Sequence, residues 1–302
     1  MLKIRLFAFF IIQTIFIAVI FAQQNTQDIF KEIEKRSKKL KKPKQIKDGF
    51  NPQFSTGILL TQSSYNNWQR GGENSLAWTL NNDGSLLYKK HTFEWITGLK
   101  TAFGQTRVGS QEFRKTEDRL EFESLCSKQI KKYLSPFVSF FLQTQFAPGY
   151  KYNFDSSNNQ EIKTQISGFW DPAHLLQSIG SRLQPFPGMN VRLGFAAKEI
   201  LTRKFKEYSG GKWYSIEAGM EVVANFNREI LPKTHLKSDL RLFSAFERFQ
   251  VIQMTWESHL SLKFNKFFSA NIRLFIYYEP DITEKIQIKE ILGVGFSYSF
   301  FE

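Results

Sequence analysis

ILGVGFSYSFFE, residues 291–302, alternates almost without fault. Leu292, Val294, Phe296, Tyr298 and Phe300 share one face of an extended chain, and Gly293, Gly295, Ser297 and Ser299 share the other. Successive side chains of a strand point to opposite faces, so this segment has one apolar face and one small, polar face. A strand with lipid on one side and water on the other has that pattern. The edge of a soluble sandwich alternates too, but it rarely spends so many aromatics at a chain end, where exposed apolar surface invites aggregation. The segment reads as the closing strand of a membrane β-barrel.

Upstream, the same period-two patterning recurs in segments near 52–62, 74–88, 91–105, 115–128, 132–147, 171–185, 188–202, 211–226, 232–246, 250–264, 267–279 and 287–301. The expected fold is therefore all-β: a membrane-spanning, antiparallel up-and-down β-barrel of about 12 strands with both ends in the periplasm. The spacers support it. Lys89-Lys90, Pro185-Phe186-Pro187-Gly188 and Asn265-Lys266 are tight, whereas 63–73, 106–114 and 147–170 are long, as short periplasmic turns and longer outer loops require. Two places fit less well. The connection at 247–249 is very short for an outer loop, and DPAHLLQSIG (171–180) alternates poorly.

The phase of each strand assigns its faces. In 251–264, Ile252, Met254, Trp256, Leu260, Leu262 and Phe264 turn to lipid, and Glu257, His259, Ser261 and Lys263 turn inward. Asn271 and Arg273 are left inside the next strand. The same logic sends Arg192, Lys198, Glu217, Glu221, Lys237, Asp239 and Arg241 to the lumen, and earlier strands add Glu94, Lys100, Arg119, Glu121 and Glu123. Bases and acids nearly balance in this set, which predicts cross-strand pairing in a narrow barrel rather than a one-signed selectivity ring.

The chain opens with Lys3 and Arg5 before an apolar run from Leu6 to Phe21, then Ala22 and a polar stretch. Residues 1–22 read as a cleaved signal peptide; the rival reading is a membrane anchor. Residues 23–50 read as a basic periplasmic tail or linker, and 51–302 as the barrel. The formal net charge is +13, and KEIEKRSKKLKKPKQIK (31–47) concentrates it. A solvated linker accounts for that run, with an anionic periplasmic partner or anionic headgroups as alternatives. Export argues against nucleic acid as a partner. The 302 residues include 32 Phe, 10 Tyr and 6 Trp, as lipid-facing strands require. The single cysteine, Cys126, allows no internal disulfide.

The candidate chemistry is sparse. His91, His174, His235 and His259 are dispersed, and no pair has the spacing of a zinc or calcium site. No metal or cofactor is implied. His259 and Ser261 share a face beside Glu257, but residues two apart on a strand lie about 6.6 Å apart along it, too far for a nucleophile and its base. A lumenal hydrogen-bond network is the plainer role for His259, and the chain is read as a non-enzyme. In the first outer loop, Trp68 and Gly71-Gly72 form either a turn packed into the barrel mouth or a ligand-recognising surface. DSSNN (155–159) reads as a polar loop tip.

Asn67-Trp68-Gln69-Arg70-Gly71-Gly72-Glu73-Asn74, Lys115-Thr116-Glu117-Asp118, Thr144-Gln145-Phe146, LKSDLRLFSAF (236–246), Trp256-Glu257, Leu262-Lys263-Phe264-Asn265-Lys266 and Tyr277-Tyr278 occur in an order and spacing that resembles a family of bacterial outer-membrane proteins. It is the domain-of-unknown-function family numbered 3078, typical of Bacteroidota. Glu279-Pro280-Asp281 departs from it, where a more acidic turn is expected. The resemblance implies an outer-membrane barrel of a Gram-negative bacterium and brings no known activity. The expected role is a narrow or gated channel for a small solute. The alternatives are an envelope structural or assembly component tethered through its basic tail, and an outer-membrane lipid or ester hydrolase. Expected partners are outer-membrane lipid and, during biogenesis, the barrel-insertion machinery that reads the final strand.

Overall fold

The computed structural model describes residues 47–64, 73–131, 133–155, 160–265, 267–281 and 283–301. The leader, nearly all of the basic tail, Trp68 with Gly71-Gly72, and positions 156–159 of the DSSNN tip lie outside the described residues. The chain divides into two compact units. The described residues of the first are Glu229–Pro232, a hairpin tip; the second, Gln45–Arg228 with Lys233–Glu302, forms a closed antiparallel barrel.

Twelve strands build the barrel: β1 (Gly49–Ser63), β2 (Ser75–Lys90), β3 (Phe93–Val108), β4 (Arg114–Lys128), β5 (Leu134–Thr144), β8 (Ala173–Leu183), β9 (Met189–Leu201), β10 (Tyr214–Leu231), β11 (Thr234–Ala245), β12 (Gln253–Lys263), β13 (Phe268–Tyr278) and β14 (Gln287–Phe301). Between β5 and β8 the chain makes a separate two-stranded sheet from β6 (Gly149–Asp155) and β7 (Gln160–Ser167). Each barrel strand lies beside its sequence neighbours, with β5 next to β8, and β1 closes on β14 in the register Thr56↔Tyr298 and Ile58↔Phe296. Closure leaves no edge strand, which a span through hydrocarbon demands.

The long outer loop expected over 147–170 is built around the β6–β7 hairpin. Its strands are only seven and eight residues long, and the alternation of Tyr150, Tyr152 and Phe154 with Lys151 and Asn153 in β6 is shorter than a barrel-spanning strand needs. Ring contacts help to hold it: the Arg114 guanidinium lies 4.2 Å from the Tyr152 ring centroid and the Lys163 ammonium 4.3 Å from that of Tyr150. Arg114 also pairs with Glu161 at 2.8 Å. The short connection after β11 is a 3₁₀ turn, Phe246–Arg248, with the Ser244 hydroxyl donating to the Phe249 carbonyl at 2.9 Å. The poor alternation of 171–180 also has a cause. Leu176 turns inward onto Ala196, Phe243 and Ala245, so this sector of the inner wall is itself apolar.

Outward positions are exposed and apolar: Leu292 is 73% exposed and Phe195 62%. Exposed aromatics gather towards both rims, with Phe50, Phe93, Trp95, Phe264 and Phe268 at the tight-turn end and Phe169, Trp213, Phe246 and Phe249 at the long-loop end, which is the girdle pattern of a membrane barrel. One outward patch is polar. The Thr56 hydroxyl donates to Asn82 Oδ1 at 2.7 Å, and Asn82 Nδ2 donates to the Thr101 hydroxyl at 3.0 Å, so these groups satisfy one another across three strands.

Candidate functional site

Inward phase alone places charges in the lumen; the closed barrel then brings opposite walls together. Nearest the tight-turn end, Arg182 Nη2 of β8 meets Glu94 of β3 at 2.6 Å. Further along, Lys237 pairs with Asp83 at 2.6 Å and Lys100 with Asp239 at 3.3 Å, while Asn225 donates to Asp239 at 2.8 Å. Next, Arg192 meets Glu123 at 2.6 Å, and Arg241 joins Glu221 to the same Glu123, which it reaches at 3.4 Å. Above these, Arg119 donates to both Glu257 oxygens at 2.5 and 2.6 Å and to Glu121 at 3.3 Å, and the Tyr277 hydroxyl donates to Glu257 at 3.0 Å. Lys289 pairs with Glu117 nearer the long loops.

Pairs such as Arg119–Glu257 and Lys100–Asp239 join strands that are not neighbours in the sheet, so they span the interior. Many of these side chains are almost dry: Arg192 is 4% exposed and Glu221 2%. Buried charges persist only when paired and hydrogen-bonded, and here the pairing fills the space. Aromatic faces complete the packing, with Arg241 over Phe141 at 4.0 Å and Arg192 over Phe137 at 5.6 Å.

The remaining candidates are placed more locally. His259 Nε2 lies 3.0 Å from Asn271 Oδ1, and Arg273 donates to Asn81 Oδ1 at 2.5 Å. Glu217 reaches the long-loop rim, where Arg248 holds it. Lys198 donates to Gln253. Lys263 ends β12 and is exposed at the tight-turn end. Sequence reasoning passed over Asn81, Asp83, Glu117, Arg182, Asn225, Tyr277 and Lys289. The same period-two phase marks most of them as inward.

At the long-loop end the lumen opens into a cavity of about 370 Å³, walled by residues that include Phe141, Leu176, Lys198, Tyr208, Phe243 and Glu279. An adjoining recess of about 360 Å³ shares Asp118, Gln143, Tyr277 and Ser167 with it and adds Arg119 and Lys289. Two carboxylates fix the loops around this vestibule. Asp118 accepts from the amides of Phe146 and Ala147, each at 2.8 Å, and pairs with Lys115 at 2.7 Å. Asp171 accepts from the Thr202 hydroxyl at 2.6 Å and from the amides of Arg203 and Lys204 at 3.1 and 2.9 Å.

A third clasp joins the connection after β11 to the one after β13, where Asp281 takes Arg248 and accepts from Gln253 Nε2 at 2.7 Å. The Arg248 hydrogen bond, outweighing partial burial, holds the Asp281 carboxyl below its usual range. A depressed carboxylate contributes stability that is present above its unfolded pKa and lost as pH falls through its folded one. Limited proteolysis within 246–252 is therefore expected to quicken below about pH 4. Asp281→Asn should cut equally fast at neutral pH. A flat pH profile would mean that the clasp contributes nothing. The pair is partly exposed, so the effect is modest.

A closed antiparallel barrel with an apolar outer band and aromatic rims satisfies every spanning backbone group internally. This chain is a β-barrel of the Gram-negative outer membrane. Residues 60–150 match the family described as "Protein of unknown function (DUF3078)", the family its motifs resemble. No curated protein matches the chain. Among solved structures, the translocator domain of the autotransporter NalP from Neisseria meningitidis is 10% identical, covering 91% of this chain and 95% of that one at a TM-score of 0.39. An outer membrane channel from Pseudomonas putida F1 is 12% identical, covering 85% and 98% at a TM-score of 0.38. Likenesses this distant carry no argument about role.

Proposed function

We propose that this barrel is a gated channel for a small solute, closed in the form described here. One observation carries the reading: the vestibule at the long-loop end stops on ion pairs that join opposite walls. Passage then requires Arg119, Glu257, Arg241 and Glu123 to exchange partners, which side chains achieve without unfolding a strand. The long-loop end is the outer face in this reading, so solute enters from outside. Catalysis has no part in it, because His259 is engaged by Asn271 in a polar lumenal network.

Planar-bilayer recording of the full chain tests the proposal. The wild type should insert and stay mostly closed. Arg119→Ala/Glu257→Ala removes a cross-lumen pair and is expected to raise the open fraction at least about tenfold. Silence from both proteins after confirmed insertion would overturn the channel and shift weight to an envelope structural role, with residues 23–50 as its periplasmic tether.

A further inference from the structure

The cations around the vestibule are not equivalent. Arg241 is held by Glu221 and Glu123, Lys115 by Asp118, Lys289 by Glu117, and Arg119 by Glu257 and Glu121. Lys198 differs. Its ammonium donates to the amide oxygen of Gln253 and lies 5.8 Å from the Phe243 ring centroid, and among the described residues it has no carboxylate partner within 4.0 Å. Glu279, Glu217 and Asp281 attract it only from beyond that distance, and an ammonium whose direct contacts are a neutral amide and a ring face retains much of its capacity to bind an anion. Arg119 is 7% exposed and lines the adjoining recess, and its Nε is buried with no hydrogen-bond partner.

The acids on the same walls are less available. Asp118 and Glu117 are already engaged by Lys115 and Lys289. Glu279, in the connection after β13, makes no ion pair with Lys198 within 4.0 Å; burial raises its carboxyl above its usual range, against the opposing pull of Lys198. Beside Lys198 the wall is apolar, formed by Phe141, Leu176, Pro172 and Phe243. A cavity of about 370 Å³ falls within the range of small-ligand pockets.

We infer that the vestibule binds a small organic anion, with its carboxylate on Lys198 and an apolar or aromatic body against Leu176 and Phe243. This rests on the reading of the vestibule as the entry of the channel and names the solute class that enters it. Burial of an apolar body supplies affinity, and the ammonium supplies the choice of sign.

Isothermal titration of the full-length protein, folded in detergent micelles, with benzoate, benzamide and benzylammonium tests the assignment. Benzoate should bind at least about tenfold tighter than benzamide, and Lys198→Met should bring it to the benzamide level while benzamide is unchanged. Lys198→Arg should keep most of the preference, and the retained benzamide binding reports that each variant is folded. Equal affinity for benzoate and benzamide, or tightest binding of benzylammonium, would overturn the proposal; the second result would make Glu279 the anchor. Equilibrium binding needs no passage, so the two readings fail separately. Benzoate selectivity in a barrel that never conducts sinks the channel alone, and a conducting barrel with no benzoate preference sinks this site alone.

Discussion

Arg119→Leu is expected to destabilise the folded barrel by about 3–5 kcal/mol, the cost of leaving buried charge without its partner. Arg119 supplies both guanidinium hydrogen bonds to Glu257 and one to Glu121. Glu121 is 9% exposed, so water cannot readily replace what is lost. The double variant Arg119→Leu/Glu257→Gln should recover at least about 2 kcal/mol, because a neutral amide no longer demands a counter-charge and can still accept from Tyr277. Urea titration of folding into lipid vesicles reads both values. A loss under about 1 kcal/mol, the scale of an exposed pair, would mean that the lumen is wet at this level and that no ion-pair floor closes it.

Gly180→Ala should cost about 3 kcal/mol or more by overpacking. Gly180 of β8 lies directly opposite Gly194 of β9, and both turn inward. A methyl group built on Gly180 runs into the Leu193 carbonyl and stands 2.5 Å from Gly194 Cα. One on Gly194 meets the Ile179 carbonyl at 2.7 Å and the Phe137 ring at 3.3 Å. These obstacles are backbone and a buried ring, so relief requires the two strands to part. Gly98→Ala is the control, since the nearest atom to its methyl is the Gly84 carbonyl oxygen at 3.9 Å. On cold detergent gels, the folded band of Gly180→Ala should disappear at a far lower urea concentration than that of Gly98→Ala. Equal midpoints would show that β8 and β9 have room to shift.

Much of the barrel follows from alternation alone. Most barrel strands were legible because lipid favours apolar side chains on one face and the strand period is two. The closing strand was the clearest, since Leu292, Val294 and Phe296 alternate with Gly293, Gly295 and Ser297. Legibility failed where one side of the pattern was missing. The inner wall near Leu176 is apolar, which blurred β8. The β6–β7 hairpin is short, seven and eight residues, and although Tyr150, Tyr152 and Phe154 alternate in β6, it stayed hidden inside what was read as one long loop.

The sequence by itself determined that this chain spans an outer membrane as a barrel and about how many strands it uses, and its phase predicted an inward face for many charges while passing over Asp83, Glu117, Arg182 and Lys289. Only the tertiary structure decided which charges meet. Neighbouring-strand pairs follow from register, but Arg119 with Glu257 and Lys100 with Asp239 sit on opposite sides of the ring, and Arg192 with Glu123 bridges β9 and β4 past β8 and β5. Their contacts depend on how closely the opposite walls approach after closure. That distance is a property of the whole ring, and so are the vestibule it leaves and the ammonium of Lys198, which among the described residues has no carboxylate within 4.0 Å.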